Sequence, residues 1–182
     1  MKNKKERGII ALLLVCAVFM TVGFAEYVAT LNINGDVTVR SSKWEIAYDT
    51  ASYEEVSGSQ VASKKTVTGT DFDFEVTLNK PGDYYEATVD VKNNGTFDAE
   101  LNKLTMSTLT EAQQKYLTYT VTYAGTEYTA TTENLEVDLA ASASEEVTVK
   151  VAYVAPENSA DLPQDADVTV EISGNLDYKL AD

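Results

Sequence analysis

The sequence predicts an all-β chain folded as an antiparallel two-sheet sandwich, and three observations carry that expectation. Nine segments in the roughly 155 residues after position 25 alternate apolar and polar side chains with period two. Each such strand is apolar on one side and acidic or Thr-rich on the other, so the sheets bury their apolar faces only by packing against one another. Turn signals fall where the alternation stops: Lys80-Pro81-Gly82-Asp83, Asn93-Asn94-Gly95 and Ser173-Gly174-Asn175.

The elements follow in chain order. Residues 1–7 carry Lys2, Lys4, Lys5 and Arg7 against Glu6, and residues 9–25 are uncharged. A basic start, an apolar run and small residues at Gly23 and Ala25 describe an N-terminal hydrophobic helix acting as a signal peptide, cleaved after Ala25. The other reading is a retained anchor through residues 8–25, since 17 apolar residues is the lower limit for a membrane-crossing helix. Either way the positive flank stays inside and the remainder is extracellular or at the cell surface. Cys16 lies within the apolar run and reads as filler there.

Residues 27–40 form the first expected strand. Tyr27, Ala29, Leu31, Ile33, Val37 and Val39 share one face if Asn34-Gly35 is a bend. A two-residue hairpin there would oppose Ile33 to Asp36 and Leu31 to Thr38, so the continuous strand is preferred. It would span about 40 Å, and it is either the first strand of its own sandwich or one donated to a neighbouring molecule. The later alternating strands centre on Trp44 to Tyr48, Phe72 to Leu78, Tyr85 to Val91, Leu117 to Tyr123, Leu135 to Leu139, Val147 to Tyr153, Val168 to Ile172 and Leu176 to Leu180. One segment breaks the period: Thr108-x-x-Glu111 has capping-box spacing and precedes Ala112-Gln-Gln-Lys115, predicting one short helix near 108–116. Residues 57–63 and 157–165 read as loops. The expected fold is thus one domain over residues 26–182, a sandwich of jelly-roll or Ig-like type behind the leader.

Composition narrows the chemistry. The chain has 14 Lys+Arg, 29 Asp+Glu, no His and one Cys, for a net charge of −15. Without histidine there is no Ser-His-Asp or Cys-His nucleophile and no His-ligated zinc. One cysteine allows no internal disulfide. So acidic a chain repels nucleic acid. Loss of the leader would leave 10 Lys+Arg against 28 Asp+Glu, a net of −18 without any cysteine, held together by core burial alone.

The residues that could carry chemistry are few. Asp71, Asp73 and Glu75 line one strand face and read as solvated charges. Asp161, Asp165 and Asp167 share a loop and are calcium candidates, although they lack the Gly and terminal Glu of an EF-hand. Leu162-Pro163-Gln164-Asp165-Ala166 lacks the Thr and Gly of a sorting signal. Asn94-Gly95-Thr96 has the form of a glycosylation sequon and reads as turn chemistry. The eleven tyrosines fall mostly on apolar strand faces. No catalytic residue and no cofactor is expected, so the chain is not read as an enzyme.

Residues 74–101, FEVTLNKPGDYYEATVDVKNNGTFDAEL, join a strand ending at Leu78 to two turns, Pro81-Gly82-Asp83 and Asn93-Asn94-Gly95. This stretch resembles the TasA/camelysin family of secreted Gram-positive proteins, and the leader is similar to the SipW-type signal peptide they share. The resemblance implies a jelly-roll-like sandwich and a subunit of biofilm-matrix fibres assembled by N-terminal strand donation. That role maps here onto residues 27–39, with a homo-oligomer and, during export, a signal peptidase as partners. Two departures stand out: Glu26-Tyr27 replaces the family's Ala-Phe junction, and the absence of His argues against the peptidase activity described for camelysins. The expected function is a secreted fibre subunit; the alternative is a membrane-tethered extracellular binding or adhesion module that does not polymerise.

Overall fold

Among the described residues ten strands follow one another, and most connections between them cross from one sheet to the other. A computed structural model describes residues 42–163 and 167–181, within one unit spanning Ser41–Asp182. The expected leader, the cleavage site at Ala25 and the strand of residues 27–40 lie outside the described residues. The strands are β1 Ile46–Glu55, β2 Ala62–Thr68, β3 Asp71–Leu78, β4 Tyr84–Asn93 and β5 Ala99–Met106, then β6 Leu117–Tyr123, β7 Thr126–Tyr128, β8 Thr132–Leu139, β9 Ser144–Tyr153 and β10 Val168–Leu180. One sheet has the order β1-β4-β9-β6-β7 and the other β2-β3-β10-β5-β8, with every neighbour antiparallel. The pairings are nested: β3 with β10, β4 with β9, β5 with β8, β6 with β7.

Period-two patterning does what it predicts along β3, β4, β6 and β9. On β3, Phe72, Phe74, Val76 and Leu78 are buried while Asp71, Asp73, Glu75 and Thr77 face outward. The facing strand β4 buries Tyr85, Ala87, Val89 and Val91. Aromatic rings then fill the gap between the sheets: Phe72 stacks on Phe74 at 5.7 Å, and Phe74 meets Tyr85 at 5.4 Å. Tyrosine hydroxyls stitch one sheet to the other. Tyr178 donates to the Tyr123 hydroxyl at 3.1 Å, and Tyr119 donates to the Ser173 carbonyl at 3.0 Å.

The turns at residues 80–83 and 93–95 both carry the chain between sheets, at opposite ends of β4. In the first, Gly82 takes φ +97°, and the Asp83 carboxylate accepts from the N–H groups of Asn79 and Lys80 at 2.9 and 3.2 Å. This end of the sandwich holds Tyr84, Leu117 and Tyr153 and is called here the groove pole. At the other end, called the tail pole, Asn93 is 1% exposed. Its Nδ2 donates to the carbonyls of Phe97 and Leu139 at 2.9 and 3.0 Å, and its Oδ1 accepts from Gly95 N–H at 3.0 Å. Residues 43–45 lie against this turn: Asn94 donates to Glu45 and Thr96 to Lys43. A Cβ on Gly95 would come within 2.7 Å of the Lys43 carbonyl, so glycine is required by close approach.

Two expectations are corrected. The helix near 108–116 is a single 3₁₀ turn, Gln113–Lys115. The reciprocal cap forms one pair later than expected, with Thr110 N–H donating to Gln113 Oε1 at 2.9 Å and Gln113 N–H to Thr110 Oγ1 at 3.3 Å. Residues 107–116 are committed to crossing from β5 to β6, which leaves room for one turn. Ser173-Gly174-Asn175 is not a turn: β10 runs straight through it, paired with β3 on one side and β5 on the other. Gly174 is there because a Cβ would strike the Phe72 ring and sit 2.8 Å from the Thr105 carbonyl.

Asn93→Ala should destabilise the fold by about 3 kcal/mol, because two carbonyls and one N–H lose their partner in a buried turn; urea denaturation measures this, and a loss within the range of a surface substitution would contradict the role given to Asn93. A second expectation concerns alkaline pH. Burial pushes up the phenol pKa of Tyr48, Tyr85, Tyr119, Tyr123 and Tyr178, and that of Tyr53 to about 12. Folded values above the unfolded value of about 10 give stability that is fully present below that pH and is lost as pH rises through the folded values. Tyrosinate absorbance from these groups should therefore appear together with loss of the β-sheet circular dichroism signal. Ionisation of all eleven tyrosines near pH 10 in a chain that stays folded would contradict it.

Candidate functional site

A strand edge can accept another strand unless something blocks it. β2 presents Lys64 and Lys65, both exposed, on the outer edge of its sheet. β8 carries Asn134 and Glu136 at φ +56° and +52°, which break its ladder. β1 is interrupted between Asp49 and Glu54, where Asp49 Oδ1 accepts from Ala51 N–H at 3.1 Å and Ser52 Oγ from Asp90 N–H at 2.8 Å. These edges are guarded by charge, by backbone shape and by a bulge respectively.

The fourth edge is different. β7 has only three residues and pairs with Val121, Thr122 and Tyr123 alone. The cause is the crossing that follows. After Tyr128 the chain leaves this sheet for the other, and Thr131 Oγ1 accepts from Met106 N–H at 3.0 Å and donates to its carbonyl at 3.2 Å. That side chain takes the position of a strand partner and starts β8 at Thr132, opposite Leu104. β7 is thereby cut off halfway along β6. Residues 117–120 have β9 on one side and no strand on the other among the described residues.

The direction of the backbone groups follows from the register. Val154 N–H donates to the Tyr116 carbonyl at 2.8 Å, so Tyr116, and by alternation Thr118 and Thr120, turn toward β9. The N–H and C=O of Leu117 and Tyr119 therefore turn outward. They face a groove of about 780 Å³ lined by Met106, Ser107, Leu109, Thr129 and Thr131, with Glu127 and Lys150 at its rim. Lys150 is held by Glu86 at 2.7 Å. Four main-chain groups in a row beside an open groove can bind an extended segment as an added strand.

The sequence-predicted residues fall into three sets. Tyr27, Ala29, Leu31, Ile33, Val37 and Val39 lie outside the described residues, as does Asp165. Of the other acidic loop residues, Asp161 is ion-paired with Lys115 at 2.6 Å and Asp167 is exposed; among the described residues no group of three or more Asp, Glu, His or Cys is arranged to hold a metal. Pro81, Gly82, Asp83, Asn93, Asn94 and Gly95 form the two pole turns and hold the frame rather than lining the groove. Sequence reasoning missed the groove. Ala124-Gly125 makes the two-residue turn, both residues at positive φ, that leads into the three-residue strand β7. Among the described residues no helix is long and apolar enough to cross a membrane. Compared with known proteins, the chain matches no family model and no curated protein significantly.

Hydrogen exchange offers a direct check on the edge. In the monomer, the amides of Leu117 and Tyr119 should exchange at least tenfold faster than those of Thr118 and Thr120, despite the burial of the Leu117 and Tyr119 side chains. Equal protection of all four would mean the edge is already covered.

Proposed function

We propose that this chain is a secreted structural subunit of a cell-surface or biofilm-matrix fibre. Residues 27–39 of one copy add as a strand to the outer edge of β6 in the next. The observation that carries this reading is the edge of residues 117–120, which no strand covers among the described residues and which lies beside a groove in a sandwich whose other edges are blunted. Leu117 and Tyr119 supply up to four main-chain hydrogen bonds, and residues 27–39 supply an alternating segment with one charge, Asp36.

We read the sandwich as a jelly roll extended by one strand in each sheet. The nested pairings of β3 to β10 are those produced when one long antiparallel hairpin is rolled into two layers. β1 and β2 then flank β4 and β3. That type agrees with the likeness of residues 74–101 to the TasA/camelysin family of fibre-forming proteins. The basic and apolar leader supports export through the signal peptidase route. A second reading, a membrane-tethered binding module with residues 8–25 retained, is favoured by the hydroxyls of Ser107, Thr118, Thr129 and Thr131 in the same groove.

Purified residues 26–182 should form regular filaments in negative-stain electron microscopy, sooner at mildly acidic pH than near neutrality. Protonating carboxylates lowers the negative charge that opposes association. Deleting residues 26–40 should abolish the filaments and leave the sandwich folded. Adding a peptide of residues 27–39 to that shortened chain should slow exchange at Leu117 and Tyr119. Persistent monomers at both pH values would sink the fibre reading and favour the tethered module.

A further inference from the structure

An asparagine followed by glycine is chemically exposed in a way that other asparagines are not. Glycine has no Cβ to shield its nitrogen, so that nitrogen can reach the asparagine carboxamide and close an imide ring. The chain contains the pair at 34–35 and at 94–95, and the second lies in the turn between β4 and β5. Asn94 is exposed there, so its carboxamide is open to attack. What holds the reaction back is the nitrogen.

The Gly95 N–H donates to Asn93 Oδ1 at 3.0 Å, and Asn93 is 1% exposed. To attack, the nitrogen must leave that acceptor, lose its proton and swing toward Asn94 Cγ. Its neighbours resist the swing on both sides. Asn94 N–H is held by the Glu45 carbonyl at 2.8 Å and Thr96 N–H by the Lys43 carbonyl at 2.9 Å. Lys43 N–H in turn donates to Thr96 Oγ1 at 3.0 Å. Gly95 itself is buried so closely against Lys43 that a methyl group would not fit. A backbone nitrogen pinned in this way reacts only from a conformation in which the turn has opened.

We infer that Asn94 is a latent deamidation site, silent while the turn is closed and reactive whenever it opens, and that Asn93 is the residue that keeps it silent. The inference is independent of the fibre reading. In the open turn the Gly95 nitrogen gives its proton to a solvent base and forms a bond to Asn94 Cγ. The bond from Cγ to the side-chain nitrogen breaks, and that nitrogen takes up a proton and leaves as ammonia. Water then adds to the imide. Cleavage of the new Cγ–N bond yields aspartate, and cleavage of the original peptide bond yields isoaspartate. Either product adds a negative charge to a chain that already carries −15. Isoaspartate also lengthens the backbone by one carbon in the turn against which residues 43–45 are held. Neither product reverts when the turn closes again, so each opening that reacts is recorded in covalent form.

Two rates measured on the full chain test this. Peptide mapping by mass spectrometry follows conversion at residue 94, separately from Asn34, in mildly alkaline buffer. Hydrogen exchange follows the Gly95 amide under the same conditions, and a synthetic peptide of residues 90–99 gives the unprotected rate of each. Conversion in the folded chain should be roughly tenfold or more slower than in the peptide. The suppression should match that of exchange to within about threefold, because both need the same opening. Asn93→Ala should raise both rates together by about tenfold or more. Thr96→Val, at an exposed position, should raise both by a smaller common factor, and it carries the test if Asn93→Ala does not fold. Conversion as fast as in the peptide would overturn the inference, because the closed turn would then be reactive. A variant that speeds Gly95 exchange and leaves conversion unchanged would overturn it as well.

Discussion

Two carbonyls and one N–H, from the segment after β4 and from the end of β8, converge on the side chain of Asn93. Its backbone is engaged as well: N–H donates to Ala143 and C=O accepts from Ser142. One buried amide thus ties together the crossing from β4 to β5 and the crossing from β8 to β9. A buried polar group is tolerated only when its hydrogen-bonding capacity is met, so this turn has one arrangement in which it is stable. Asn94 and Thr96 then bind residues 43–45, with Gly95 allowing their close approach. The crossings at this end of the sandwich, and with them the nested pairing, depend on that arrangement.

The opposite pole is fixed by a different device. Thr131 satisfies both backbone groups of Met106 with one hydroxyl, which lets the chain change sheets halfway along β6 rather than at its end. The consequence is that, among the described residues, the sheet is incomplete beside residues 117–120. Natural sandwiches blunt their edges, and three edges here are blunted by lysines, by left-handed backbone and by a bulge. Under the strand-addition reading proposed above, a crossing that the structure stabilises leaves this edge, among the described residues, free for an incoming segment.

Much of the fold was legible because burial has a period. β3, β4, β6 and β9 have both neighbours or a full facing layer, and their alternation survives intact in the sequence. The strands that escaped notice each have a physical reason. β2 is an outer edge whose residues are mostly exposed, so Lys64, Lys65 and Thr66 carry no apolar rhythm. β5 buries Ala99 and Leu101, then Leu104 and Met106; a bulge at Asn102 shifts the phase by one residue and hides the alternation. β7 is three residues long. Gly174 was misread because a glycine that admits a neighbouring ring looks, in sequence, like a glycine that makes a turn. The open edge itself was not legible. It depends on which strands pair and on where a crossing occurs, and those are long-range facts that no window around Leu117 contains.

Assembly by strand addition requires one contact, an incoming strand against residues 117–120. Electron cryomicroscopy of the assembled chain at a resolution that separates strands reads it directly. The prediction is an added strand hydrogen-bonded to the N–H and C=O of Leu117 and Tyr119, continuous with residues 27–39 of the neighbouring copy. An assembly in which that edge stays bare, or is filled by the molecule's own residues 27–39, would contradict it.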